Sequence, residues 1–267
     1  MLPFIHLGPI KLPVYGLLLA TAILLGVHLA ARRAARHGLA RDFVFSTAAL
    51  AVLAGLVGAK LLDWMLHYET YSLETLISGA GTFLGGFLLG FAATAIAAWR
   101  ARASLWKVGD TFAVSLALGV MLVRVGCFAA SCDYGKPTDL PWGVVFSSQV
   151  AADFTGVPLG VRLHPSQLYE SALGMLILIT LLILERKPRP AGFLILSFVT
   201  LYAAGRFLLE FLRGDVDRGF FGPLSTSQWL SLVMVALFYG FYLRRTREPS
   251  EQRQRRDPGD HQRTRTR

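Results

Sequence analysis

The stretch FLILSFVTLYAAGRFLLEFL, Phe193 to Leu212, decides the fold: it is apolar over the length of a bilayer-crossing helix, yet it carries Arg206 and Glu210. About 17 to 25 mostly apolar residues are what the hydrocarbon core requires of one helix. Comparable blocks run Val14 to Ala31, Phe43 to Leu62, Phe83 to Trp99, Thr111 to Ala130, Leu168 to Leu184 and Leu224 to Leu243. The expectation is an all-α polytopic membrane protein of seven transmembrane helices, because a lipid-exposed span must satisfy its backbone internally. The first block is continued by further spans, so it reads as a retained helix rather than a cleaved signal.

Composition agrees. Of 267 residues, 54% are hydrophobic and 16% charged, where a soluble domain carries about a quarter charged residues. The net charge of +10 is unevenly placed and reports topology and a basic tail rather than a nucleic-acid partner. Short loops rich in Lys and Arg stay cytoplasmic. Arg32, Arg33, Arg36 and Arg41 follow the first block; Arg100, Arg102 and Lys107 the third; Arg186, Lys187 and Arg189 the fifth; and nine arginines from Arg244 to Arg267 the seventh. The alternation puts the N-terminus outside and the C-terminus in the cytoplasm. Two units are expected: a transmembrane domain over 1–243, with a folded outer cap at about 131–163, and a disordered basic cytoplasmic tail over 244–267. The cap is too apolar for disorder, with Trp142, Val144, Val145 and Phe146.

Ionisable groups at membrane depth are costly and tend to mark sites. Tyr202, Arg206, Glu210 and Arg213 fall at i, i+4, i+8 and i+11, one narrow stripe of a helix at about 100° per residue. The stripe is either a structural ion pair between helices or an anion site, for which a guanidinium fork suits phosphate. Arg124, near the outer end of the fourth block, either snorkels to the headgroups or joins Arg206 on one phosphate. Two arginines in the headgroup zone suggest a phospholipid ligand and the bilayer itself as partner. Gly79, Gly81, Gly85, Gly86 and Gly90 either pack helices closely or let backbone approach a headgroup. His164 opens the fifth block in His164-Pro165-Ser166-Gln167-Leu168-Tyr169-Glu170 and is a candidate base. Cys127 and Cys132 lack the spacing of a zinc or thioredoxin motif; they read as a bridge, free structural thiols or a reactive thiol. No metal ligand set and no cofactor motif is found.

Over nearly the whole chain before the tail, these residues resemble the prolipoprotein diacylglyceryl transferase family. The resemblance rests on Gly8-Pro9 with Tyr15-Gly16; Gly85-Gly86; Arg124-x-Gly126-x-Phe128 with Gly135; Pro141 to Phe146; the run from His164 to Glu170; Tyr202, Arg206, Glu210 and Arg213; and Leu224-Ser225 with Gln228. It implies transfer of the diacylglyceryl group from phosphatidylglycerol to the lipobox cysteine thiol of a prolipoprotein precursor, at the outer leaflet of a bacterial inner membrane. It further implies headgroup contacts from Tyr15, Tyr202, Gly85, Gly86 and Gly135, with Arg124 and Arg206 on the phosphate and Glu210 orienting Arg206. The chain departs from the family pattern where Leu84 replaces a histidine, Cys127 an asparagine and Cys132 a glutamate; Val123, Leu163 and Lys60 also differ. Either His164 or Glu210 then serves as the base, or the chain is a lipid-binding paralogue with another acceptor or no catalysis, its cysteines forming a structural or redox bridge.

Overall fold

The computed structural model describes residues 4–7, 10–69, 81–215 and 219–256, the part beyond Arg244 by its backbone alone. Gly8, Pro9 and Gly79, and the tail from residue 257, lie outside the described residues. A short hairpin, β1 (Phe4–Leu7) against β2 (Ile10–Pro13), leads into α1 (Val14–Arg33). Then come α2 (Arg41–Leu66), α3 (Phe83–Arg100) and α4 (Leu105–Ala130). After an irregular excursion follow α6 (Ser166–Leu184), α7 (Phe193–Leu209) and α8 (Thr226–Arg256), α5 (Gln149–Thr155) lying within the excursion. Seven helices are long and apolar enough to cross a membrane, one for each expected block. The protein is a multi-pass membrane protein.

Four starts differ from the sequence reading, those at Arg41 and Ser166 by two residues; the other two have local reasons. The fourth helix begins at Leu105, not Thr111, because its polar first turns are packed: Val108 and Asp110 are buried. Asp110 accepts from the backbone N–H groups of Gly192 (2.6 Å) and Ile195 (3.0 Å), and so caps α7 from another helix. The last helix begins at Thr226, since Leu224–Ser225 pairs as a two-residue strand with Phe220–Phe221. Ser225 and Gln228 close a reciprocal capping box: Gln228 N–H donates to Ser225 Oγ (3.3 Å) and Ser225 N–H to Gln228 Oε1 (3.0 Å). That helix runs on through the segment expected as a tail, as far as Arg256.

The core joins α4, α6 and α7 through Ala113, Val114, Ala117, Ile177, Leu181, Leu194 and Ile195. Two glycines set how closely these helices approach. A Cβ on Gly174 would stand 2.8 Å from Met121 N, and one on Gly205 would strike Leu173. On the other side α3 lies along α2, where Gly58 and Gly85 face each other so closely that either Cβ would run into the opposite carbonyl oxygen. Gly86 and Gly90 repeat the pattern: an added Cβ would stand 3.1 Å from Gly55 O and 3.2 Å from Ala51 O. Small residues permit such backbone approach within a membrane.

The excursion between α4 and α6 folds around its own core of Tyr134, Phe146, Val157 and Leu163, with Phe128 reaching into it from α4. Val144–Val145 pairs with Arg162–Leu163, and Ser148 caps α5 by accepting from Ala151 N–H (3.3 Å). Gly135 bridges to Arg213, which ties the excursion to the end of α7.

Candidate functional site

Three guanidiniums and four carboxylates meet where α4, α6 and α7 end against this excursion. Glu170, on the second turn of α6 and buried, is the hub. Its Oε1 lies 3.1 Å from Arg124 Nη2 and 3.6 Å from Arg206 Nε, and accepts from Tyr202 Oη at 2.8 Å. Arg206 also pairs through Nη1 with Glu210 and donates through Nη2 to Ser227 Oγ (3.1 Å), so each nitrogen has its own partner. Asp133 links the other two arginines: Oδ2 takes Arg124 Nη1 at 2.6 Å and Oδ1 takes Arg213 Nη2 at 2.6 Å. Arg213 also pairs with Asp215.

Local folding explains the placement. Tyr202 and Arg206 share the inward face of α7, as the spacing predicts. The stripe then breaks. Residues Glu210–Leu212 tighten into a 3-10 turn and Arg213 is extended (φ −74°, ψ 143°), so it leaves the helix and reaches across to Asp133. The expectation of one continuous helical stripe through Arg213 is corrected accordingly. Asp133 sits three residues past α4 in a left-handed conformation (φ 57°), held by Ser166 Oγ, which donates to its carbonyl at 2.7 Å. Gln167 Nε2 likewise donates to Cys132 O (2.6 Å). The side chains of Arg124 and Asp133, 19% and 33% exposed, are the open edge of the network, whereas Arg206 and Glu210 are its floor.

Asp133 is one source of pH sensitivity. Burial pushes its carboxyl up, but Arg124 and Arg213 outweigh it and hold it at about 2 against an ordinary 3.8. A depressed folded-state value means stabilisation that is complete above the unfolded value and lost as pH falls through the folded one. The protein is therefore expected to lose thermal stability between about pH 4 and pH 2, and Asp133→Asn to flatten that part of the profile. Unfolding midpoints in detergent across that range, for both proteins, measure it; identical slopes would remove Asp133 from this role. Arg213, facing Asp215 and Asp133, is held still more firmly protonated than a free guanidinium.

The other expected residues divide between this network and its surroundings. Tyr15 packs on Gly126, where a Cβ would be 3.3 Å from its ring, and lies within electrostatic reach of Arg124, Cys127, Cys132 and Asp133. His164 belongs to a different cluster: its Nδ1 is 3.2 Å from Tyr169 Oη, which accepts from Trp142 Nε1 at 2.8 Å. Gly135 touches the backbone of His164, and Gly85 and Gly86 are taken up by the α2–α3 crossing. Leu84, at the start of α3, is 43% exposed. Cys127 and Cys132 are free thiols. Their sulfurs and the Asp133 carboxylate lie within 4.8 Å of one another. With both Asp133 oxygens committed to arginines, that trio is not composed as a metal site. Sequence reasoning missed Asp133 and Ser227 altogether. It quoted Glu170 only as the end of a motif; a carboxylate two turns into an apolar helix was the available signal.

At the centre of the network one carboxylate oxygen is ringed by two guanidiniums and a phenol. Against known proteins, residues 3–244 match the family described as prolipoprotein diacylglyceryl transferase. Curated relatives named phosphatidylglycerol-prolipoprotein diacylglyceryl transferase include one from Clostridium tetani, 33% identical over 237 residues, covering 85% of this chain and 91% of the relative. One from Geobacter sulfurreducens is 32% identical (88% and 91% covered), and one from Bordetella bronchiseptica is 34% identical (92% and 95% covered).

Proposed function

We propose, from the premise that the chain belongs to the prolipoprotein diacylglyceryl transferase family and is a transferase, that Arg124 and Arg206 together receive the phosphate of phosphatidylglycerol. In the reaction the acceptor's cysteine sulfur bonds to the glyceryl carbon, the carbon–oxygen bond to phosphate breaks, and glycerol phosphate leaves with the added charge. The observation that carries this reading is Glu170 Oε1, an anion already held by Arg124, Arg206 and Tyr202. Its longest contact, 3.6 Å to Arg206 Nε, is the one an incoming phosphate oxygen displaces. With that one contact exchanged, Arg206 stays fixed by Glu210 and Ser227 and Arg124 by Asp133, so both guanidiniums meet the leaving phosphate as oriented donors, which is how preorganised groups act on developing charge.

Tyr15 and Tyr202 position the headgroup, Gly135 keeps the excursion's backbone against the site, and Glu210 orients Arg206. Gly85 and Gly86 support the lipid's path by holding α3 on α2. The incoming thiol must lose its proton, since the thiolate is the nucleophile. We assign that proton to His164, whose ring is oriented by Tyr169 and Trp142. In this reading the site faces the outer leaflet of a bacterial inner membrane with the excursion as an outer cap, which the loop charges support.

The test uses the full chain in phosphatidylglycerol vesicles with a synthetic lipobox peptide, following the thioether product and glycerol phosphate together. Equal amounts of both are expected, with Arg124→Gln and His164→Gln each slowing product formation about 10²-fold or more. Lipid binding without either product would reject transfer and leave the lipid-binding paralogue. Product at an undiminished rate from Arg124→Gln would reject the phosphate role.

A further inference from the structure

The end of α4 brings two thiols together. Ser131 is left-handed (φ 62°); its N–H bonds Phe128 O (3.2 Å), and Cys132 N–H bonds Cys127 O (3.1 Å). These are the two bonds of a Schellman motif, whose 6→1 closure sets the residues at its two ends side by side. Here both are cysteines. Their sulfurs lie within 4.8 Å, the Cys132 sulfur is 3.6 Å from Cys127 O, and Arg124 Nη1 is 3.9 Å from the Cys127 sulfur. Cys127 is buried and Cys132 half-buried. A backbone hydrogen bond between the two cysteines and sulfurs within 4.8 Å make them the near neighbours that a disulfide requires.

We propose that Cys127 and Cys132 form a reversible dithiol–disulfide site that exchanges with a small or protein-borne disulfide. Cys132, the more accessible, attacks first. The neighbouring Cys127 thiol, outweighing burial and the Asp133 carboxylate, holds the Cys132 thiol below its ordinary range, and Arg124 also favours its anion. The Cys132 thiolate bonds to one sulfur of the incoming disulfide, whose sulfur–sulfur bond breaks to release a thiolate. That thiolate takes the Cys127 proton and leaves as a thiol. The Cys127 sulfur then bonds to Cys132, expelling the second sulfur, which picks up the proton first given up by Cys132. Two protein thiols are oxidised, one disulfide is reduced to two thiols, and no other reactant is needed.

Closure fixes covalently the turn that carries Asp133, and through it Arg124 and Arg213. The inference concerns the thiols alone and stands whether or not the chain transfers lipid. The test treats the full chain in vesicles with oxidised glutathione, then denatures it in N-ethylmaleimide and reads the intact mass. Expected is a chain lighter by two hydrogens that takes no maleimide and recovers two adducts after dithiothreitol. Cys127→Ser should instead retain one glutathione on Cys132. Two maleimides after oxidation, or two glutathiones on the unaltered protein, would overturn the proposal. The unaltered chain decides this even if the variant does not fold.

Discussion

Arg206→Lys is expected to lower transfer by about 10²–10³-fold while the protein remains inserted and folded. Lysine keeps the charge but has one nitrogen where Arg206 uses three, toward Glu170, Glu210 and Ser227. A guanidinium fork and an ammonium are not interchangeable at such a site. Arg206→Ala goes further: it takes a guanidinium from two buried carboxylates, and removing one partner of a buried pair costs about 3–5 kcal/mol. The two variants separate chemistry from stability. Lysine should lose rate with little change in unfolding midpoint, and alanine should lose both. Near-normal rates from Arg206→Lys would mean that Arg206 is a helix-to-helix brace and that phosphate is bound elsewhere.

Gly85→Val is expected to be the most damaging single change away from the charges. Its branched side chain would be driven into Gly58 O and Leu62, and backbone oxygens cannot step aside. Overpacking of this kind costs about 1–3 kcal/mol, more where the neighbour is rigid, and here it would prise α3 from α2. Thermal unfolding in detergent followed by the fluorescence of Trp64 and Trp99, near the ends of the two helices, should show an early loss of signal. Gly119→Ala, with no neighbour within 4 Å of the added Cβ, is the matched control. A Gly85→Ala protein of unchanged stability but raised KM for phosphatidylglycerol would return Gly85 to the headgroup reading.

The seven spans were legible because hydrocarbon imposes one length and one composition on each helix, and no tertiary contact overrides that. Tyr202, Arg206 and Glu210 were legible for a similar reason: within a helix, spacing is position. Arg213 was misread because the 3-10 turn at Glu210–Leu212 is a tertiary choice, made when Arg213 finds Asp133 from a distant loop. Asp133 itself looks like any polar residue after a helix, and nothing local says that two arginines converge on it. The grouping of Trp142, Tyr169 and His164 is equally non-local. The cysteine pair lay in between: the five-residue spacing was visible, but its meaning depended on Ser131 turning left-handed.

The cap that Asp110 places on α7 bears on how the protein is made. The helix that carries Arg206 enters the membrane with a buried charge, a tyrosine hydroxyl and a helix start that water cannot reach. Asp110 on α4 and Glu170 on α6 answer these needs, and both come earlier in the chain. As the nascent chain emerges, α7 meets a bilayer in which the partners of its start, of Tyr202 and of Arg206 on α6 already stand, while Ser227, Gln228 and Tyr239 follow on α8. Chain order thus places α4 and α6 ahead of the span whose helix start and buried arginine they receive.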